Sequence, residues 1–186
     1  MKKFLVTLLL IGTVVLPAVA ADKKIDIVAK GGIYASPYLN LENNIFDVDL
    51  GYTLGLEAFW FKWEKTALGL GYEHLFNTDI ENSGQKISMN NAYLALKYRW
   101  LTFEDKEIDS VYLLGQAGLS LADIDFINAK NVAGICIAGG IGIESKWLIV
   151  EILYTLSNWI IPDSDPKYTR GFMYSLKMNL GYRFSI

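Results

Sequence analysis

Groups able to carry chemistry are sparse in this sequence. Its one histidine, His74, is followed by Leu75 and Phe76, with Asp79 and Ser83 further along. Catalysis needs convergent groups within hydrogen-bond reach, and a lone histidine near a strand end reads more simply as an interfacial polar residue. Asp79 with Glu81, Asp123 with Asp125 and Asp163 with Asp165 alternate as Ca²⁺ or Mg²⁺ ligands can. None of these pairs has EF-hand spacing, so they read as solvated loop surface, and no metal or cofactor is assigned. Lys167 and Arg170 could contact lipid phosphates. Cys136 is the single cysteine, so no intramolecular disulfide is possible. It lies in GICIAGG with no basic neighbour to lower its pKa and reads as a small packing residue.

The most ordered charged set is Glu57, Glu73, Glu144 and Glu151 with Lys97, Arg99, Lys177 and Arg183. Each sits on the polar phase of an alternating segment, so the set would face one side of a sheet. Four acids and four bases could pair across a narrow lumen, where an unpaired buried charge would be costly. A filled, charge-paired lumen is not an open pore; a proton or ion path is the functional alternative.

The segments that must position these residues are strands. From Tyr174 to Ile186 the chain reads YSLKMNLGYRFSI, apolar or aromatic at every second position. An ordinary strand has five or six residues, whereas about ten, tilted, cross a bilayer. The apolar face would then meet lipid and the polar face a barrel interior. Further segments run from Ile25 to Tyr38, Val48 to Trp60, Thr66 to Phe76, Ser88 to Trp100, Val111 to Leu121, Val132 to Glu144, and Leu148 to Ser157. Gly31-Gly32 breaks the first pattern, and Leu113-Leu114 leaves the phase of the fifth strand ambiguous.

The fold expected is therefore all-β, an eight-stranded antiparallel transmembrane barrel. A soluble, lipocalin-like barrel would share the alternation, but no helical segment is present to cover the apolar faces. Inner turns would centre on Glu64, Glu104 and Ser145, with outer loops near 40–46, 77–86, 123–131 and 158–170. Trp60, Trp63, Trp100 and Trp147 fall at the inner turns, where an aromatic girdle belongs. Tyr34, Tyr38, Phe46, Phe76 and Trp159 would mark the opposite rim.

Composition sets the outer bounds. The chain is 52% hydrophobic with eleven Tyr and five Trp among 186 residues, which fits one domain. Residues 1–21, MKKFLVTLLLIGTVVLPAVAA, read as a signal peptide: Lys2 and Lys3, an apolar core from Phe4 to Leu16, and an Ala18-Val19-Ala20 cleavage site. The barrel domain would be 22–186. Without Lys2 and Lys3, the 17 basic residues become 15 against 20 acidic, a net charge of −5. Nucleic acid is not an expected partner, because phosphate binding needs clustered Lys and Arg.

Asn179, Gly181, Phe184 and Ile186 stand where the C-terminal assembly signal of bacterial outer-membrane barrels has polar-x-Gly-x-x-hydrophobic-x-hydrophobic. Over residues 25–186 the chain resembles small outer-membrane barrels of the OmpA-transmembrane-domain and OmpX type. The resemblance implies an integral cell outer-membrane protein of a Gram-negative bacterium, a monomer among outer-membrane lipid and lipopolysaccharide. Periplasmic chaperones and the barrel assembly machinery would deliver it, and no peptidoglycan-binding domain is expected after the eighth strand. Its role would be structural or surface-interacting, with no enzymatic activity, although the outer loops are modest beside those of dedicated adhesins. Lipid A-modifying barrels are similar in size and form the enzymatic alternative. Their deacylase type uses a His-x-Ser pair with a Glu, which His74-Leu75-Phe76 does not match. Their palmitoyltransferase type places His, Asp and Ser near the outer rim, where His74, Asp79 and Ser83 would stand.

Overall fold

Alternation becomes strand wherever it recurs, because an extended backbone sends successive side chains to opposite faces. The computed structural model describes residues 25–41, 44–61, 64–81, 83–103, 107–125, 129–160 and 170–186. Residues 1–21, expected to be a signal peptide, and Trp63, Glu104, Asp163, Asp165 and Lys167 lie outside the described residues. The strands are β1 (Ile25–Leu41), β2 (Asn44–Asp47), β3 (Gly51–Phe61), β4 (Thr66–Ile80), β5 (Gln85–Thr102), β6 (Ile108–Ile124), β7 (Ala129–Ser145), β8 (Leu148–Ile160) and β9 (Arg170–Ser185).

From β3 onward each strand pairs antiparallel with the next, and β1 lies between β3 and β9. The β1–β9 register, Asp26↔Ser185 through Leu41↔Gly171, closes an eight-stranded barrel. Short β2 folds back on the end of β1, pairing Tyr38↔Asp47 to Leu41↔Asn44. At the opposite end, called inner here, Ile25 N donates to Ile186 O at 3.1 Å and Ile186 N to Ile25 O at 2.9 Å. Closure pairs β1 and each of β3 to β9 on both sides among the described residues, the condition for spanning hydrocarbon with strands.

The two faces separate as membrane crossing requires. Leu54, Leu94, Leu119, Ile135 and Leu180 are exposed on the outside, while Glu57, Glu73, Lys97, Glu144, Glu151 and Lys177 are buried inside. A continuous apolar exterior around a charged interior is stable only where hydrocarbon is the solvent. Around the inner rim Trp100 and Trp147 are outward and exposed. Trp147 meets Tyr182 edge-on at 6.4 Å, and Tyr182 meets Phe184 at 4.6 Å. Trp60, at the inner end of β3, is half-buried. Leu113-Leu114 needs no bulge: Leu113 faces lipid, and Leu114 joins an apolar cluster inside the barrel.

The outer end departs from the sequence reading. The described residues of the segments 77–86 and 123–131 are mostly strand, not loop. β4 continues to Ile80 and β5 starts at Gln85, while β6 reaches Ile124 and β7 starts at Ala129. Strands of 17 residues exceed the roughly ten that a bilayer needs, so the barrel continues past the lipid. There its interior is an ordinary apolar core: Leu39, Leu41, Val48, Leu75, Ile80, Ile87, Met89, Ile124, Val132 and Trp159 pack together. Val48 belongs to this core and not to the lipid face, held by a bridge to Ile80. Tyr34 and Trp159 also point inward and are buried, so they are not rim anchors. Tyr38 and Phe76 are exposed on the outside, and Phe46 packs on the core.

Small inward residues make room for large ones. A Cβ on Gly142 would lie 2.3 Å from Cζ of Tyr112, whose hydroxyl donates to Glu151 at 2.8 Å. Gly142→Val is therefore expected to displace that ring and cost about 1–3 kcal/mol by overpacking. Gly139, outward with its nearest atom at 4.0 Å, should accept Val within about 0.5 kcal/mol. Urea unfolding of the reconstituted barrel checks both; equal cost at the two glycines would contradict the facing.

Candidate functional site

Three tiers of charge cross the lumen. At the inner tier Glu144 gathers Lys97 (3.0 Å), Arg99 Nε (2.6 Å) and Arg183 (3.2 Å). Ser110 Oγ donates to the same carboxylate at 2.8 Å, and Arg183 also pairs with Asp109 at 2.8 Å. The Lys97 ammonium lies 4.6 Å from the Phe59 ring centroid and 4.3 Å from that of Tyr112, which adds a cation–π contribution. These groups come from β3, β5, β6, β7 and β9, so the tier ties together strands far apart in sequence.

The middle tier is centred on Lys30, which the sequence reading did not include. Its Nζ lies 2.7 Å from Glu57 and 2.8 Å from Glu151. Tyr93 Oη and Gln116 Nε2 each donate to Glu57 at 2.8 Å. Asn179 Nδ2 donates to Glu151 at 3.0 Å. Above them Lys177 meets Glu73 at 2.9 Å, and the Tyr34 hydroxyl donates to Glu73 at 3.0 Å. With Lys30 and Asp109 counted, the three tiers hold five cations and five carboxylates, and Asp26, buried at the inner end beside Ser185, is a further acid. Low dielectric makes each charge expensive unless paired and hydrogen-bonded, and most of their polar atoms are.

Free space is correspondingly small. A cavity of about 10 Å³ lies among Glu73, Asn91, Tyr93, Gln116 and Cys136, roughly the room one water requires. Cys136 is a buried packing residue, with Sγ 3.6 Å from Leu119 O. Outward of the tiers the apolar core closes the bore, and Trp159 Nε1 donates to Ser120 Oγ at 3.0 Å.

The residues considered for catalysis and metal binding have other partners. His74 is on the outer wall of β4, where Nδ1 lies 3.0 Å from Asn90 Oδ1. Asp79 pairs with Lys86 at 3.7 Å on the surface, and Ser83 Oγ donates to Ile80 O at 2.7 Å within its turn. Asp123 accepts from Asn131 N. Among the described residues no cluster of three or more potential ligands could hold a metal ion. Of the residues read as an assembly signal, Asn179 and Gly181 face the lumen, while Phe184 and Ile186 are exposed at the inner rim.

No protein-family model matches the chain, and no curated protein matches it in sequence. Among solved structures, Neisserial surface protein A is 11% identical at a TM-score of 0.51, covering 83% of this chain and 96% of its own. Ail, the attachment invasion locus protein of Yersinia pestis, is 12% identical at 0.52, covering 87% and 99%. Ail has also been solved with the heparin analogue sucrose octasulfate, at the same TM-score of 0.52. At these identities the likeness is one of fold. The chain has the architecture of small eight-stranded outer-membrane barrels, and its apolar exterior suits that location.

Proposed function

We propose that this protein is a sealed outer-membrane barrel whose role is structural or surface-interacting, exercised by its outer end and wall. The observation that carries this reading is the continuous filling of the bore by three charge tiers beneath an apolar core. A conducting lumen needs a connected polar path, and the buried apolar core at the outer end interrupts one. The reading includes a monomer seated among lipopolysaccharide, delivered by periplasmic chaperones and the barrel assembly machinery.

Chemistry at the outer end narrows the kind of partner. Among the described residues that end carries Asp47, Asp49, Asp79, Glu81, Asp123 and Asp125 against Lys86, Lys130 and Arg170. An acidic excess repels polyanions, so a sulfated ligand of the kind Ail binds does not suit this surface. Acyl transfer is disfavoured because His74, Asp79 and Ser83 hydrogen-bond or pair elsewhere.

Planar-bilayer recording of the refolded barrel tests the sealed lumen. No unitary steps are expected at neutral pH, and steady conductance scaling with salt would overturn the reading in favour of a narrow channel.

A further inference from the structure

We propose that the lipid-facing wall carries a specific site for one acyl chain of a membrane lipid, gripping the chain by its ester or amide carbonyl. A groove of about 800 Å³ runs along the outer half of the wall. Its floor is β5, where Asn90 and Ala92 are short. One side is the taller row Tyr72, His74 and Phe76 on β4, and the other is Leu119 and Leu121 on β6. The register sets these side by side: His74↔Asn90↔Leu121 in one row and Tyr72↔Ala92↔Leu119 in the next.

The polar groups in this groove have an unusual setting. Tyr72 Oη donates to Asn90 Oδ1 at 2.6 Å, and His74 Nδ1 approaches the same oxygen at 3.0 Å. His74 is held edge-on against Phe76 at 4.8 Å. Two partners on Oδ1 fix the Asn90 amide, and because Asn90 lines the groove its NH₂ is assigned to that space. A donor turned toward hydrocarbon is costly unless an acceptor meets it, and a lipid carbonyl is the acceptor hydrocarbon surroundings bring.

Depth agrees with that assignment. One pleat outward of Asn90 is Ser88, paired with Asp123 at the polar margin. One and two pleats inward are Ala92 and Leu94 on the exposed apolar wall. Asn90 therefore stands at the boundary where acyl linkages lie, with an apolar track beneath it for the chain. The groove is continuous with the exposed apolar wall of Leu54, Leu56, Leu94 and Leu119, which hydrocarbon must solvate, so a lipid, not a second protein, is the occupant assigned.

The test is native mass spectrometry of barrels taken from dioleoylphosphatidylglycerol vesicles into mild detergent, beside barrels from vesicles of the ether-linked analogue. The ether lipid has the same chains and headgroup but no carbonyl. Wild type should retain one lipid per barrel, with ester occupancy at least about fivefold above ether, as one hydrogen bond would give. Asn90→Leu should erase that preference, and Ala92→Trp, filling the floor, should abolish retention of both. Both substitutions add apolar surface to a lipid face, and heat-modifiable gel mobility confirms that the variants fold. Equal retention of ester and ether lipid by wild type, or unchanged retention in Ala92→Trp, would overturn the proposal.

Discussion

Lys30→Met is expected to lower the unfolding free energy of the barrel by roughly 3–5 kcal/mol, the usual cost of removing one partner from a buried ion pair. Lys30 is buried, and its ammonium lies within 2.8 Å of both Glu57 and Glu151. Methionine preserves most of the volume, so packing changes little and charge dominates. Two carboxylates would then face each other without their shared cation. Their neutral donors, Tyr93 and Gln116 on Glu57 and Tyr112 and Asn179 on Glu151, offset only part of the loss. Adding Glu57→Gln to Lys30→Met removes one of the two facing charges and should recover part of the stability. Urea titration of tryptophan fluorescence in vesicles measures all of these. A Lys30→Met barrel within about 0.5 kcal/mol of wild type would mean that water reaches the middle tier, and the sealed lumen would fail with it.

Why Lys30 escaped the sequence while Glu57, Lys97, Glu144, Glu151 and Lys177 did not is a matter of pattern. Lys97, Glu151 and Lys177 have a large apolar side chain on either side, and Glu57 and Glu144 follow Leu56 and Ile143 in alternating runs, so their phase is plain. Lys30 is flanked by Ala29 and Gly31-Gly32, where nothing marks a face. The glycines themselves have a packing role: a Cβ on Gly32 would lie 2.2 Å from Asn179 Oδ1 and 2.6 Å from Met178 O. The balance of four acids and four bases in the charged set read from the sequence also misled. Three cations converge on Glu144, which leaves Glu57 and Glu151 needing one that only the folded geometry identifies.

The outer end was legible only as polar loop, and its bulges explain the error. A bulge shifts pairing by one residue and so exchanges the faces of the strand beyond it. One falls between Ala35 and Tyr38 on β1 and another between Leu75 and Thr78 on β4. Past them Tyr38 faces out and Leu39 in, while Ile80 turns inward on what had been the lipid phase. Alternation survives but its meaning reverses, and no residue type announces the change. Beyond the bilayer the lumen also stops being polar, because long strands enclose a small apolar core. The lipid-facing half was readable because hydrocarbon imposes one rule on every strand at the same height. Leu180 lies close to the inner rim, one pleat from Tyr182, which meets Trp147 edge-on.

Mid-membrane is better marked by Leu94, and Leu94→Arg is expected to cost about 2–4 kcal/mol. Along the outward face of β5, Leu94 stands two pleats from Asn90 at the acyl-linkage boundary and two from Tyr98 at the aromatic rim. Its side chain is 56% exposed, so the arginine would meet no protein partner and no clash. Its cost would be almost wholly that of placing a guanidinium in hydrocarbon. The same residue exposed to water would accept arginine within about 0.5 kcal/mol. Tyr98→Arg can reach the headgroups and should cost about 0–1 kcal/mol. Reversible urea unfolding in vesicles gives both values. A depth-dependent pair belongs to a barrel solvated by lipid; two near-zero costs would belong to one bathed in water.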